Sequence, residues 1–350
     1  MRLGFITLGK HVPSTRFRFL PYLPYLRERG HACRLWMSYP SVYEHIPWLG
    51  WRISHALKRS VRHLQLASAR WSRPDCIYLE RGCLNDDSLD LDRLFRKHTA
   101  RLVLDIDDGI FLERPEKLQQ LIDMSDHCVV SSELIADYVR PLHEHVTIIP
   151  TAVPLSRFTL KQERRADDPA TVAGRPVIGW MGTIPNMPFL AVCAPALKKL
   201  AKQLDFELFI VAPSPKPLEQ IDLSGVRLNF QRWQPDLEVA YLHRMDIGLM
   251  PLPPGEEWMK YKAATKLIQY LSVGLPAVAS PIGVNAIILQ NNQVGLAAST
   301  PDDWFDALAR LVADSALRRS LGSAGRKLVE ERYSIEANAP LLESVLCPSR

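Results

Sequence analysis

The run Asp246-Ile-Gly-Leu-Met-Pro-Leu252, continued by Pro253-Pro-Gly-Glu-Glu257-Trp-Met-Lys260-Tyr261-Lys262 and Ala263-Ala-Thr265-Lys266-Leu-Ile-Gln269-Tyr270-Leu-Ser-Val-Gly274-Leu-Pro276-Ala-Val-Ala-Ser280, decides the fold. Ile247–Met250 is short and apolar, Thr265–Val273 has apolar residues at helical spacing, and Ala277–Ala279 is apolar again. Strand, loop, helix and strand in that order predict a parallel βαβ unit.

The same alternation extends to both ends of the chain. The first half offers strands at Leu3–Leu8, Ala32–Trp36, Cys76–Leu79, Leu102–Asp105, His127–Ser131 and Val146–Ile149. The second adds Val177–Met181, Glu207–Val211, Val226–Phe230 and Leu296–Ala298 to the two already quoted. Most are nearly continuous apolar runs, as strands buried on both faces must be. Helices are predicted over Thr15–Arg29, Leu190–Gln203 and Pro301–Ala313; at the last, Thr300 can cap and Asp302 and Asp303 suit the positive end. Six strands in each half predict two doubly wound domains, consistent with 350 residues exceeding the roughly 250–300 that one core serves. We expect one over 1–155 and one over 176–332, joined by a linker at 156–175 where apolar periodicity vanishes. Residues 333–350 are read as a C-terminal helix returning to the first domain. Ligands of such sheets are expected at the carboxyl ends of strands where the order reverses, and in a cleft between the sheets.

With 47% hydrophobic and 23% charged residues, the chain is neither disordered, collagenous nor coiled coil. No run approaches the ~18 apolar residues of a membrane span, and Met1–Lys10 reads as a first strand rather than a secretory signal. The six cysteines form no CxxC, so buried thiols and a cytoplasmic location are expected, without a metal site. Residues 1–74 hold 13 Lys/Arg against two acids, a net +11, whereas the remainder carries −6. That asymmetry predicts an anionic partner. Within Pro47–Trp71, an acid-free segment, Trp48, Leu49, Trp51, Ile53, Leu57, Val61 and Leu64 form an apolar stripe beside Arg52, Lys58, Arg59, Arg62 and Arg70. The combination predicts a helix lying on an anionic membrane; the competing expectation is that the stripe packs on the sheet and leaves the basic face wet.

No GxGxxG, Walker A or GxSxG sequence occurs, which disfavours dehydrogenase, P-loop nucleotidase and common hydrolase chemistry. Three strand-end loops remain. Gly9-Lys10-His11-Val12-Pro13-Ser14-Thr15-Arg16-Phe17-Arg18 offers glycine, hydroxyls and two arginines at a helix start, a composition suited to anions. Asp105-Ile106-Asp107-Asp108-Gly109 crowds three carboxylates, read either as metal ligands or as groups orienting a hydroxyl. In the third loop Lys262 and Lys266 are four apart and predicted to share one face of a helix start, where they can grip a diphosphate together. Gln269, three further on, can hydrogen-bond a sugar hydroxyl in both senses.

Val177-Ile-Gly-Trp-Met-Gly-Thr183, Asp246–Leu252, Lys262–Ser280 and Gly295-Leu-Ala-Ala-Ser resemble the family 4 nucleotide-sugar glycosyltransferases. Val146-Thr-Ile-Ile-Pro150-Thr-Ala-Val153 with Phe158, and Leu317–Tyr333, look like that family's junction and C-terminal segments. The resemblance implies a GT-B fold, two facing Rossmann-like domains with a cleft between them. It also implies an enzyme moving a sugar from a nucleoside diphosphate to a hydroxyl acceptor, usually with retention and without a protein-held metal. The expected setting is bacterial-type cell-surface glycan synthesis, with a glycan or lipid-linked acceptor, no nucleic acid partner and peripheral attachment at the inner membrane face. Donor contacts fall on Gly182, Thr183, Asn186, Glu257, Lys262, Lys266 and Gln269, and catalytic or acceptor-orienting roles on His11, Asp107 and Asp108. Ser14, Arg16 and Arg18 are expected to meet the acceptor or an anion. The family's acidic pair maps onto Tyr261 and Gln269, and the basic residues that usually follow the first C-domain strand are missing from Thr183–Pro188. Those departures motivate the alternative of a degenerate GT-B protein that binds a glycan or partner without turnover.

Overall fold

Each half of the chain closes its own six-stranded parallel sheet. The computed structural model describes residues 1–161 and 175–348. The N-terminal sheet contains β1 (Arg2–Thr7), β2 (Ala32–Met37), β3 (Cys76–Glu80), β4 (Arg101–Ile106), β5 (His127–Val130) and β6 (Val146–Ile148), in the order β2-β1-β3-β4-β5-β6. The C-terminal sheet contains β7 (Val177–Met181), β8 (Glu207–Ala212), β9 (Leu228–Arg232), β10 (Ile247–Met250), β11 (Ala277–Ala279) and β12 (Gly295–Ala297), ordered β12-β11-β10-β7-β8-β9. Both sheets start at an inner strand and wind outward in two directions, so the order reverses between β1 and β3 and between β7 and β10. Strands β3, β7, β8 and β10 are buried throughout, as their apolar runs require.

The N-terminal unit comprises Met1–Ala152, Tyr261–Ala263 and Ile335–Arg350; the C-terminal unit comprises Val153–Lys260 and Ala264–Ser334. The helix Ile335–Leu346 packs Ala339, Leu342 and Leu346 into one cluster with Phe5, Tyr22 and Tyr78, and its Glu343 accepts hydrogen bonds from Tyr25 and Arg29. Of the linker expected at 156–175, residues 162–174 lie outside the described residues. The cysteines are all free thiols, and among the described residues no helix is long and apolar enough to cross a membrane.

Local chemistry explains where elements begin and end. The helix Pro301–Ala313 starts with a capping box in which Thr300 accepts from the Asp303 amide and Asp303 from the Thr300 amide. The helix predicted over Thr15–Arg29 is instead three pieces: a π-helical turn Thr15–Phe19, a 3-10 turn Leu20–Tyr22 and an α-helix Leu23–Glu28. Pro21 and Pro24 each remove an amide donor, which breaks the continuous ladder.

The helix Gly50–Ser72 departs most from expectation. Its buried face is Ser54, Lys58, Arg62 and Ala69, whereas Ile53, Leu64 and Trp71 point to solvent. Of the apolar stripe, Trp48, Trp51, Ile53 and Leu64 are exposed and Leu49, Leu57 and Val61 half-buried, and Lys58 and Arg62 are not wet. Arg62 is fully buried, donating to the carbonyls of Thr7, Trp36 and Cys83 and to Gln65 Oε1; Lys58 donates to the Val42 carbonyl at 2.9 Å. Long cationic side chains are drawn inward here because strand-end and loop carbonyls need donors.

Candidate active site

In the C-terminal unit the two switch-point strands pair only at Ile247↔Ile178 and Gly248↔Gly179, and beyond that Tyr270 joins them. Its hydroxyl accepts from the Met181 amide and donates to the Leu249 carbonyl, both at 3.2 Å. The ring fits because position 248 is glycine: a Cβ there would come within 2.4 Å of it. Burial holds the Tyr270 phenol above its ordinary pKa, so it remains a neutral bridge. At the end of β7, Gly182 leaves room for Lys266, whose Cε would lie 2.7 Å from a Cβ at that position. Lys266 Nζ also sits 5.7 Å from the centre of the Trp180 ring, within cation–π reach. A positive charge is thus held over a backbone bare of side chain, at the position where doubly wound sheets bind ligands.

The loop after β10 is pinned at both ends. Ser280 Oγ accepts from the Leu252 amide and donates to its carbonyl, and Gly283, at φ +57°, packs against the Lys260 backbone. The helix following the loop runs Thr265–Ser272, and the residue before it, Ala264, is left-handed at φ +53°. Lys262 therefore precedes the helix, so the predicted sharing of one helical face with Lys266 is not met. Lys262 groups with the N-terminal unit, where its charge acts on Asp108.

Other expected donor contacts fall as follows. Thr183 and Asn186 are half-buried after β7, with Asn186 Nδ2 donating to Thr183 Oγ1 at 3.0 Å. The Asn186 amide is taken by the Thr183 carbonyl and Pro185 has none, which leaves few of the amides expected there for an anion. Glu257 is exposed in the 3-10 turn Glu257–Tyr261. Gln269 points inward: it is buried and donates to Glu238 Oε1 at 3.2 Å, rather than facing a sugar.

The carboxyl end of the N-terminal sheet is a network of ion pairs. Arg18 is buried and grips both oxygens of Asp105 at 2.8 Å, adding a bond to the Ile149 carbonyl; Tyr78 donates to the same carboxylate. Burial opposes the Arg18 charge, but Asp105 overrides it and holds the guanidinium above its ordinary pKa. Arg18, expected to meet an anion, is a core residue. Asp107 and Asp108, expected to orient an acceptor hydroxyl or else to bind a metal, both pair with Arg81, the second at 2.7 Å. Arg81 also donates to the Tyr43 hydroxyl at 3.1 Å and adopts φ +55°, a left-handed conformation enriched at functional positions. Burial opposes charge on Asp107, yet Arg81 holds it below the usual carboxylate range; Asp108, half-buried and beside Asp107, lies above it. Among the described residues no group of three or more His, Cys, Asp or Glu is placed to hold a metal ion.

Glu80, which the sequence reading passed over, ends β3 at the switch point and is wholly buried. Its Oε2 accepts from the Leu8 amide at 2.8 Å and from Thr15 Oγ1 at 2.6 Å. Burial pushes its carboxyl up to about 7. Ser14, expected to cap or bind an anion, is buried beside this carboxyl, and neither Ser14 Oγ nor Glu80 Oε1 makes a well-formed hydrogen bond. His11 is exposed in the turn after β1, and Arg16, half-buried, lies against Phe17. The signal for Glu80 and Arg81 was present: a charged pair and a glycine directly after the apolar run Cys76–Leu79.

Comparison with known proteins gives these shapes a context. Residues 175–314 match the family model Glycosyl transferases group 1. D-inositol 3-phosphate glycosyltransferase of Corynebacterium jeikeium is 24% identical over 257 residues, 65% of this chain. The matched region spans 58% of that relative's own length. Sucrose-phosphate synthase of Thermosynechococcus elongatus superimposes with a TM-score of 0.71 at 15% identity, over 99% of this chain and 98% of its own. Anabaena HepE, solved with UDP, gives 0.63 at 13% identity, over 99% of both chains. At such identities these structures establish the shared GT-B fold.

Proposed function

We propose that this protein, whose residues 175–314 match the group 1 glycosyl transferase model on a GT-B fold, transfers a sugar from a nucleoside-diphosphate donor to a hydroxyl acceptor. The observation that carries the reading is Lys266 laid across Gly182 at the β7–β10 switch point. A lysine there can stabilise the diphosphate both as bound donor and as leaving group, where negative charge grows as the glycosidic bond breaks. The UDP bound by HepE supports this class of donor. Retention of configuration and a place in cell-surface glycan synthesis are part of the proposal and rest on the resemblance of Lys262–Pro276.

On the acceptor side, His11 and Asp108 are the partly or fully exposed groups that can orient a hydroxyl, with Arg81, itself paired to Asp107, holding Asp108. The inward turn of Gln269 favours a second reading, a protein that binds nucleotide or glycan without turnover. A panel of nucleotide sugars separates the two. Release of free nucleoside diphosphate with one donor supports the transferase; donor binding with no release from any donor and acceptor pair supports the binding protein.

A further inference from the structure

The helix Gly50–Ser72 buries Lys58 and Arg62 while exposing several of its large apolar residues. Trp48, just before it, is 83% exposed, and Ile53, Leu64 and Trp71 are 56%, 73% and 89% exposed. Ile53, Leu64 and Trp71 are eleven and then seven residues apart, spacings that return to one side of a helix. The helix has 23 residues, so the stripe runs on the order of 35 Å with a tryptophan near each end. Exposed Arg52, His63 and Arg70 recur at eleven and seven residues along one flank of that stripe. No acid occurs between Glu44 and Asp75.

Water-facing apolar residues of this size cost free energy unless something covers them. We propose that this face docks on an anionic lipid surface, with Ile53, Leu64, Trp48 and Trp71 entering the headgroup boundary and the arginines meeting lipid phosphates. Tryptophan suits that boundary, with an apolar ring and one N–H donor. A second copy of the chain fits less well, because a symmetric pairing would set the same acid-free basic flank against itself. Attachment does not depend on the sugar-transfer reading, and its test reads no transfer.

The experiment is co-sedimentation of the full chain with phosphatidylcholine vesicles, with and without phosphatidylglycerol, at low and high salt. Binding should require the anionic lipid and weaken as salt rises. Replacing both Arg52→Gln and Arg70→Gln should lower partitioning about thirtyfold (~1 kcal/mol per basic residue). Leu64→Glu with Trp71→Glu should abolish it while leaving the thermal melt unchanged, since both side chains are already in water. Equal binding to neutral and anionic vesicles, binding to neither, or wild-type binding by the variants overturns the proposal. So does a concentration-dependent dimer that Leu64→Glu dissociates, which would assign the face to self-association.

Discussion

At the carboxyl end of the N-terminal sheet, Arg18 and Arg81 hold Asp105, Asp107 and Asp108, and Glu80 is buried where β1 and β3 part. At the carboxyl end of the C-terminal sheet, Tyr270 bridges the parted strands, Gly182 is bare, and Lys266 lies across it. Neither β7 nor β10 contributes an acid. The first face directs its charges at one another, and the second is built from glycine, a phenol and a lysine over an aromatic ring. Carboxylates and arginines paired in a buried network belong first to stability, whereas a lysine beside a bare glycine at a switch point is within reach of a ligand. Mutations on the two faces should therefore separate: unfolding should respond to the first and nucleotide affinity to the second.

The largest effect should come from Asp105→Asn. It leaves the Arg18 guanidinium buried without its counter-charge, which costs about 3–5 kcal/mol. Urea unfolding of the N-terminal transition should show that loss; a midpoint within error of wild type would mean the pair contributes nothing and would erase the contrast.

Next comes pH. The Glu80 carboxyl sits at about 7 in the folded chain against an ordinary 4.5. Below about 4.5 it is protonated folded or unfolded and has no effect. Between the two values the unfolded chain ionises more readily, so stability falls as pH rises, levelling off above 7 at a loss of roughly 3 kcal/mol. Glu80→Gln keeps an acceptor for Leu8 and Thr15 but cannot ionise. Thermal melts from pH 5 to 8 should decline less in this variant, which should be the more stable protein at pH 8. Parallel curves would remove Glu80 as the cause.

How much of this was legible beforehand depends on whether a pattern is local. The inner strands were visible because burial on both faces leaves apolar runs, and the Thr300 capping box because its partners are three residues apart. The Gly50–Ser72 helix shows the limit. Periodicity separates its apolar and polar faces, but which faces inward is decided by the carbonyls of Thr7, Trp36, Val42 and Cys83, all distant in sequence. Arg18 failed as an anion contact for the same reason, its partner Asp105 being 87 residues away. Lys266 stands out from its loop in sequence, but sharing one helical face with Lys262 requires a helix that left-handed Ala264 prevents.

Lys266→Ala tests the C-terminal face directly. Loss of a charge-assisted contact of roughly 1.5–3 kcal/mol should weaken nucleoside-diphosphate binding tenfold or more. Its unfolding midpoint should fall by less than that of Asp105→Asn. Calorimetry showing equal affinity would place the donor elsewhere.

The smallest and most discriminating change is Gly182→Ala. One methyl group there would lie 2.7 Å from Lys266 Cε and from two ring carbons of Trp180. The two neighbours cannot respond alike. Trp180 is buried among Ile178, Leu190 and Leu208 and has little freedom, whereas Lys266 ends a flexible chain and can swing away. The lysine's share of the strain should leave through its flexible chain, while the clash with the Trp180 ring persists and should cost stability by about 1–3 kcal/mol, the range for overpacking. If Lys266 acts on the diphosphate from its place over Gly182, moving it without deleting it should still reduce affinity several-fold. The double variant with Lys266→Ala should then bind no worse than Lys266→Ala alone, because both changes remove the same contact. Additive losses would show instead that Gly182 meets the nucleotide through its own backbone, and that the lysine's position over it is incidental.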